Sequence, residues 1–193
     1  MGIRDRQRPA DRSINHGPYR LSECAFKMQD QGHIVSSFDR DLEAIQALIM
    51  KMGGLVEESI LNASNALEKR DEKLAKSVRD GDKLIDKLEE QVNEEAARIL
   101  ALRAPTAGDL RTVLSVFRVS ANLERIGDYS KNIAKRSSVV IQMQPIVGTA
   151  SSLRRMAKTV DLMLKDVLDA YIQRDVDLAA DVRERDAEVD QMY

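Results

Sequence analysis

The chain is poor in the residues that most catalytic and metal sites use. It has no tryptophan, one cysteine and two histidines, and aromatic residues make up 4% of its 193 positions. Both histidines, His16 and His33, precede the periodic part of the chain, so that part cannot build a Ser-His-Asp or Cys-His nucleophile. The lone Cys24 excludes an internal disulfide and a cysteine-ligated zinc site. These absences argue against an enzyme.

Charge and hydropathy narrow the class further. The chain has 30 basic and 32 acidic residues, and the net charge of −2 is unlike that of a general nucleic-acid binder. No apolar run approaches the roughly 20 residues of a membrane span, and the first residues lack the apolar core of a secretory signal. We therefore expect a cytoplasmic protein that meets a membrane only through partners and binds no nucleic acid.

The first 33 residues differ from the rest. They contain five arginines, two of the four prolines and few large apolar side chains. Such a stretch buries too little surface to offset its chain entropy, which predicts a disordered basic extension over residues 1–33. A basic arm for nucleic acid or lipid is the functional alternative, and a loose tail is the interpretation we favour.

The body of the chain has helical periodicity. Charged residues are 32% of the chain and hydrophobic ones 43%, a composition that suits helices with one apolar stripe. From Phe38, apolar residues recur at steps of three and four, the spacing of one helix face. Asp71 is a natural N-cap for a second helix, whose stripe runs from Leu74 to Ile99.

Two further breaks divide the remainder. Pro105 interrupts the pattern, and Thr106 with Asp109 resembles a capping box that opens a third helix over about residues 107–140. A fourth stripe follows the Pro145–Gly148 break, and Asp175 is a natural cap for the segment after it. The fold class is therefore all-α, with about five long helices.

The chain repeats itself at an offset of 104 residues. Met52 aligns with Met156, and the cap pair Arg70-Asp71 aligns with Arg174-Asp175. Asp82 and Asp86 align with Asp186 and Asp190 without a gap. This predicts a tandem repeat of antiparallel three-helix bundles. The first copy covers residues 34–143, and the second, residues 144–193, is incomplete with two helices.

Carboxylates form ladders on the second and third helices. Glu124, Asp128 and Asn132 lie one turn apart, and Asp82, Asp86 and Glu89 follow one flank of the second helix. Hard cations need several oxygen ligands, which such ladders supply. The alternative is a solvated acidic face balanced by neighbouring lysines and arginines, and spacing alone favours it. The candidate metal ligands are Glu124, Asp128, Asp82 and Asp86, with Asn132, Glu89, Asp186 and Asp190 as further possibilities.

Two motifs resemble the PhoU family of phosphate-specific transport system accessory proteins. They are Pro-Thr-Ala-Gly-Asp-Leu-Arg at residues 105–111 and Leu-Glu-Arg-Ile-Gly-Asp at residues 123–128. The resemblance covers about residues 28–193. It implies a cytoplasmic, all-helical and often dimeric regulator, not an enzyme. Such a protein represses the phosphate-starvation regulon when phosphate is abundant.

The resemblance also implies partners and metals. The expected partners are the ATPase subunit of the phosphate ABC transporter and the sensor histidine kinase of the phosphate regulon, together with a second copy of the chain. Family members carry iron or zinc on Glu/Asp-x-x-x-Asp motifs, or are associated with manganese or magnesium. Two alternatives remain open: a carboxylate-ligated metal-binding helical protein, and a non-functional truncated paralogue that lacks the last helix of the second repeat.

Overall fold

The computed structural model describes residues 20–144 and 148–192, with side chains described from residue 37 onward. The described part contains helices and no strand. The six helices are α1 (Arg20–Lys69), α2 (Glu72–Arg103), α3 (Ala107–Val140), α4 (Thr149–Gln173), α5 (Val176–Glu184) and α6 (Asp186–Asp190). None of the described helices is long and apolar enough to cross a membrane. The all-α fold class is confirmed.

The predicted helix starts agree with the structure, with one exception in detail. Asp71 caps α2 by accepting hydrogen bonds from the backbone N–H groups of Lys73 and Leu74, and Asp175 caps α5 through the N–H of Leu178. Thr106 is the N-cap of α3, but its side chain makes no capping hydrogen bond. The predicted start of α3 at Thr106 is therefore right, but the predicted capping hydrogen bond of its side chain is absent.

Helix α1 begins inside the segment that the sequence assigns to a disordered extension. Residues 20–33 are helical, because the last proline of this region is Pro18 and none follows until Pro105. Residues 1–19 lie outside the described residues. The chain divides into two compact units, Met1–Ser37 and Phe38–Tyr193, and all contacts described below belong to the second.

Helices α1, α2 and α3 form the predicted antiparallel bundle. Asp41 near the start of the unit binds Arg103 at the end of α2, whereas Glu72 at the start of α2 accepts a hydrogen bond from Ser138 near the end of α3. Large apolar side chains that are almost fully buried fill the centre. They include Ile45, Ile49, Met52, Val56, Ile85, Val92, Ile99, Val113 and Val116.

Helix α4 runs antiparallel to α1 and extends this core. Arg154 near its start binds Glu68 near the end of α1, and Leu168 near its end lies against Gly53 in the middle of α1. A side chain at Gly53 would collide with Leu168, so the glycine permits this close approach. Leu164 and Leu168 belong to the same buried cluster as the first three helices.

The second helix of the second repeat is split. The sequence predicts one segment after Asp175, and the structure has α5 and the five-residue α6 instead. Arg185 lies at the junction and forms ion pairs with Asp181, one turn earlier, and with Asp166 on α4. The chain therefore turns where this arginine is held.

Candidate functional site

The acidic ladders predicted on two helices meet in the structure. We call Asp82, Asp86 and Glu89 of α2 with Glu124 and Asp128 of α3 the acidic cluster. Asp86 interacts electrostatically with Asp82 and Asp128, and Glu124 interacts with Asp128, Glu89 and Asp86. The antiparallel pairing of the two helices thus brings together the four principal predicted ligands and Glu89.

Gly127 allows the two helices to approach closely at this point. A Cβ atom at this position would lie 3.0 Å from Cδ1 of Ile85 and 3.8 Å from Oδ1 of Asp82. Both neighbours are buried on α2, at 2% exposure each. The glycine of the Leu-Glu-Arg-Ile-Gly-Asp motif therefore has a packing role, and it holds Asp82 against α3.

Lys131 is the counter-ion of the acidic cluster. Its ammonium group forms ion pairs with Asp82 and, at 3.1 Å from Nζ to Oδ1, with Asp128. Hydrogen bonds to Asp82 and then to Asp128 raise the pKa of Lys131 well above its usual range. A buried carboxylate such as Asp82 needs a compensating charge, and this lysine supplies it.

Two other members of the cluster, Asp86 and Glu124, have raised pKa values. Burial raises the pKa of Asp86, and repulsion from Asp82 and Asp128 adds to the shift while Lys131 opposes it. Burial likewise raises the pKa of Glu124, with repulsion from Asp128, Glu89 and Asp86 in the same direction. A single ammonium group therefore does not neutralise the cluster.

The donor chemistry of the cluster suits a hard cation, but its present geometry does not form a cage. Carboxylate oxygens on facing helices are the ligands that Mg²⁺, Mn²⁺ and Ca²⁺ prefer. In the described part of the chain, no group of three or more His, Cys, Asp or Glu side chains is arranged to hold a metal ion. Lys131 takes the position of a cation, so a metal would have to displace it.

Of the further predicted ligands, Glu89 belongs to the acidic cluster, whereas Asn132, Asp186 and Asp190 have no described contact with it. Asn132 is exposed on α3. Asp186 and Asp190 are exposed on the short helix α6, which packs against α4 and α5. No described contact joins Asp186 or Asp190 to α2. The two residues lie in the second copy of the repeat, whereas α2 belongs to the first.

A second buried carboxylate was not among the predicted sites. Asp161 on α4 is 5% exposed and binds Lys165 at 2.9 Å, while the same ammonium group lies 3.8 Å from Oε2 of Glu57 on α1. Burial raises the pKa of Glu57, and repulsion from Asp161 and Asp169 adds to the shift against the attraction of Lys165. The offset of 104 residues makes Glu57 and Asp161 equivalent positions of the two copies, but their proximity follows only from the packing of α4 on α1.

Two apolar grooves flank the junction of α3 and α4. The first, of about 530 Å³, is lined by Val119, Leu123 and Ile126 of α3, by α4 from Leu164 to Arg174, and by Val176 and Ala179 of α5. The second, of about 330 Å³, lies between Ile126–Ile133 of α3, the end of α1 and the start of α4. Side chains such as Ile133 and Val167 remain 47% and 39% exposed there.

The chain matches the PhoU domain at residues 49–137 and 153–193. It is 39% identical over 161 residues to the phosphate-specific transport system accessory protein PhoU homolog of Caulobacter vibrioides, covering 83% of this chain and 70% of that protein. It is 42% identical over 167 residues to the homolog of Zymomonas mobilis, covering 86% and 70%. The phosphate-specific transport system accessory protein PhoU of Escherichia coli is 40% identical over 163 residues, with 83% and 66% covered.

Solved structures of PhoU proteins have the same fold as this chain. The crystal structure of PhoU from Pseudomonas aeruginosa superposes with a TM-score of 0.77 and 36% identity, covering 81% of this chain and 75% of that one. The phosphate transport system regulatory protein PhoU from Streptococcus pneumoniae gives a TM-score of 0.73 and 30% identity, covering 81% and 73%. The acidic cluster on α2 and α3 is thus part of a chain that belongs to the PhoU family.

Proposed function

We propose that this chain regulates phosphate uptake by binding other proteins. In this proposal it represses the phosphate transporter and the phosphate-starvation regulon in the cytoplasm when phosphate is abundant. The observation that carries the proposal is the 39–42% identity to accessory proteins of the phosphate-specific transport system over more than four fifths of the chain. The absence of histidine after His33 supports binding rather than catalysis.

The proposed partners are the ATPase subunit of the phosphate ABC transporter and the sensor histidine kinase of the regulon. The surfaces that could receive them are the second apolar groove, of about 330 Å³, and the partly buried acidic cluster. Large apolar patches with polar surroundings are typical of protein-binding sites.

Gene deletion tests the regulatory proposal. We expect a deletion strain grown in excess phosphate to express a phosphate-starvation reporter, and complementation with the intact gene to restore repression. A pull-down from the complemented strain should recover the ATPase subunit and the kinase. Normal repression in the deletion strain would overturn the proposal.

We also propose that a divalent or iron-type metal ion (Fe, Zn, Mn or Mg) binds the acidic cluster by displacing Lys131. The raised pKa values of Asp86 and Glu124 support this proposal, because a cation of higher charge would relieve the repulsion that one ammonium group leaves. Asp82, Asp86, Glu124 and Asp128 would be the principal ligands, with Glu89 beside them.

Metal titration of purified protein tests this second proposal. We expect Lys131→Met to bind the metal more tightly than the wild type, since the competing ammonium group is gone. Asp86→Asn with Glu124→Gln should abolish binding. Lys135→Met, an exposed lysine on the same helix, is the matched control and should leave the affinity unchanged. Elemental analysis that finds no metal in the wild type under any loading condition would contradict the proposal.

A further inference from the structure

An open cavity of about 340 Å³, whose lining residues all have polar side chains, lies where α1, α3 and α4 meet, away from the acidic cluster. Its lining consists of Gln46, Arg111, Thr112, Ser115, Tyr171 and Arg174. Two arginines, both exposed, and three hydroxyl-bearing side chains are among its lining residues, and no carboxylate is. A concave site with convergent cationic and hydroxyl groups is suited to an anion.

The two arginines have no partner among the described residues. Neither Arg111 nor Arg174 forms an ion pair or a side-chain hydrogen bond in the described part of the chain, whereas five other arginines of the same unit form ion pairs: Arg79, Arg98, Arg103, Arg154 and Arg185. Two like charges that line one small cavity repel each other. An anion between them would replace this repulsion with charge-assisted hydrogen bonds.

The internal repeat allows Arg174 to be compared with its counterpart in the first copy. Arg70 is its counterpart in the first copy, and both residues adopt the left-handed conformation after their helix, with φ of 57° and 56°. Arg70 donates hydrogen bonds to the backbone carbonyls of Ile141 and Met143. No described carbonyl accepts from Arg174, which is exposed and is one of the residues that line the cavity.

Tyr171 adds a buried donor to the same place. Its hydroxyl oxygen is shielded from solvent and makes no well-formed hydrogen bond in the described part of the chain. Burial raises the pKa of Tyr171, against the smaller effects of a poorly formed hydrogen bond with Ser115 and of the charge of Arg174, so the hydroxyl keeps its proton at neutral pH. Buried polar groups without a partner are rare and call for an explanation, and a ligand in the cavity would provide one.

Thr112 and Ser115 are the other two hydroxyl-bearing residues of the lining. Thr112 donates its proton to the carbonyl of Gly108, and Ser115 donates to the carbonyl of Thr112. Their oxygen lone pairs are left for a donor in the cavity. The lining thus combines three donors, Arg111, Arg174 and Tyr171, with two acceptors.

We propose that this cavity binds inorganic phosphate, held by Arg111, Arg174 and Tyr171. Near neutral pH the phosphate ion has negatively charged oxygens, which can accept hydrogen bonds from the three donors. It also has a protonated oxygen, which can donate a hydrogen bond to Thr112 or Ser115. Sulfate has the same shape but no proton to donate, so it should bind more weakly. The choice of phosphate rests on the proposed function, because it gives a regulator of phosphate uptake a direct contact with the ion.

Calorimetric titration of the purified full chain with phosphate, at fixed ionic strength in chloride, tests this inference. We expect saturable binding at one site, and a loss of about tenfold or more in affinity for Arg111→Gln and for Arg174→Gln. Arg118→Gln, an exposed arginine on the same helix without a described partner, is the matched control and should bind as the wild type does.

Tyr171→Phe separates binding from folding. Removal of an unpartnered buried hydroxyl should leave the melting temperature of the free protein unchanged or raise it, yet it should weaken phosphate binding. Phosphate should also raise the melting temperature of the wild type but not that of the double arginine variant. Unsaturable binding, equal affinity for sulfate, or unchanged affinity in both arginine variants would overturn the inference. None of these results would affect the proposed regulation, which the deletion strain tests independently.

Discussion

Among single residues, Gly127 is a motif residue whose role is explained by helix packing. We expect Gly127→Ala to lower the free energy of unfolding by about 1–2 kcal/mol, because the strain of overpacking exceeds the gain in helix propensity. The added Cβ would lie 3.0 and 3.3 Å from two carbons of the buried Ile85. Urea denaturation followed by circular dichroism measures the change.

Gly81 provides the matched control on the facing helix. A Cβ atom there meets nothing within 4 Å, so Gly81→Ala should raise the free energy of unfolding by about 0.5–1 kcal/mol. Equal effects of the two substitutions would show that contact with Ile85 does not matter. The sequence identifies Gly127 as part of a motif, but it does not identify Ile85 as its neighbour, because that requires the register of α2 against α3.

Glu124 makes a second prediction at this scale, and its sign depends on pH. Its pKa is raised in the folded protein by burial and by repulsion from Asp128, Glu89 and Asp86. The folded state therefore binds a proton more tightly than the unfolded state, and stability falls as pH rises from the unfolded pKa through the folded one. Glu124→Gln removes this loss.

We expect Glu124→Gln to melt at a higher temperature than the wild type near pH 7, and to show no advantage near pH 3, where the carboxyl is largely protonated in both states. Thermal melts across that pH range measure the difference. A saturating divalent metal at the acidic cluster should reverse the order of the two proteins at pH 7. An advantage of the same size at both pH values would contradict the electrostatic cause.

On the scale of helices, the N-caps of α2 and α3 differ in chemistry. Asp71 accepts hydrogen bonds from the N–H groups of Lys73 and Leu74, at 3.0 and 3.1 Å, whereas Thr106 accepts none through its side chain. Asp71→Ala should therefore lower the free energy of unfolding by about 1 kcal/mol, and Thr106→Ala should change it by much less. Chemical denaturation of the two variants measures this contrast, and equal losses would contradict it.

The helices were predictable because their signals are local. Asp71, Pro105 and Asp175 mark breaks that need no knowledge of distant residues, and the repeat predicts which helices correspond. The acidic cluster was predictable only in part. The spacing indicates which carboxylates share a face, but the ion pair of Lys131 with the buried Asp82 depends on how two helices pack.

The polar cavity shows the limit of the sequence more clearly. Arg111 follows a proline-containing break, Tyr171 lies in an apolar stripe, and Gln46 is more than 60 positions away from either. Nothing in their spacing joins them. Only the antiparallel packing of α4 on α1 brings the end of α4 to the beginning of α3.

For the whole molecule, the two copies of the repeat differ in how far their equivalent apolar faces are covered by other helices. In the first copy, Ala63, Ala66, Ala75 and Val78 pack against Ala134 of α3. The offset of 104 residues places Val167, Ala170, Ala179 and Val182 at the same positions in the second copy, and three of them border or lie in the open groove of about 530 Å³. The apolar face that is sealed in the first copy is therefore partly accessible in the second, where Val167 is 39% exposed while Ala170 and Val182 stay buried.

A second copy of the chain is the occupant we expect, because an exposed apolar groove favours self-association. Val176 at the rim is 78% exposed, and Val176→Glu should weaken the dimer at least about tenfold, since a charge would have to be buried against apolar surface. Val139 on α3 is 66% exposed and lies outside the groove, so Val139→Glu should leave association unchanged. Sedimentation velocity over a range of concentrations measures both. A wild type that stays monomeric throughout would leave the groove to another partner, and equal weakening by both substitutions would place the contact elsewhere on the surface.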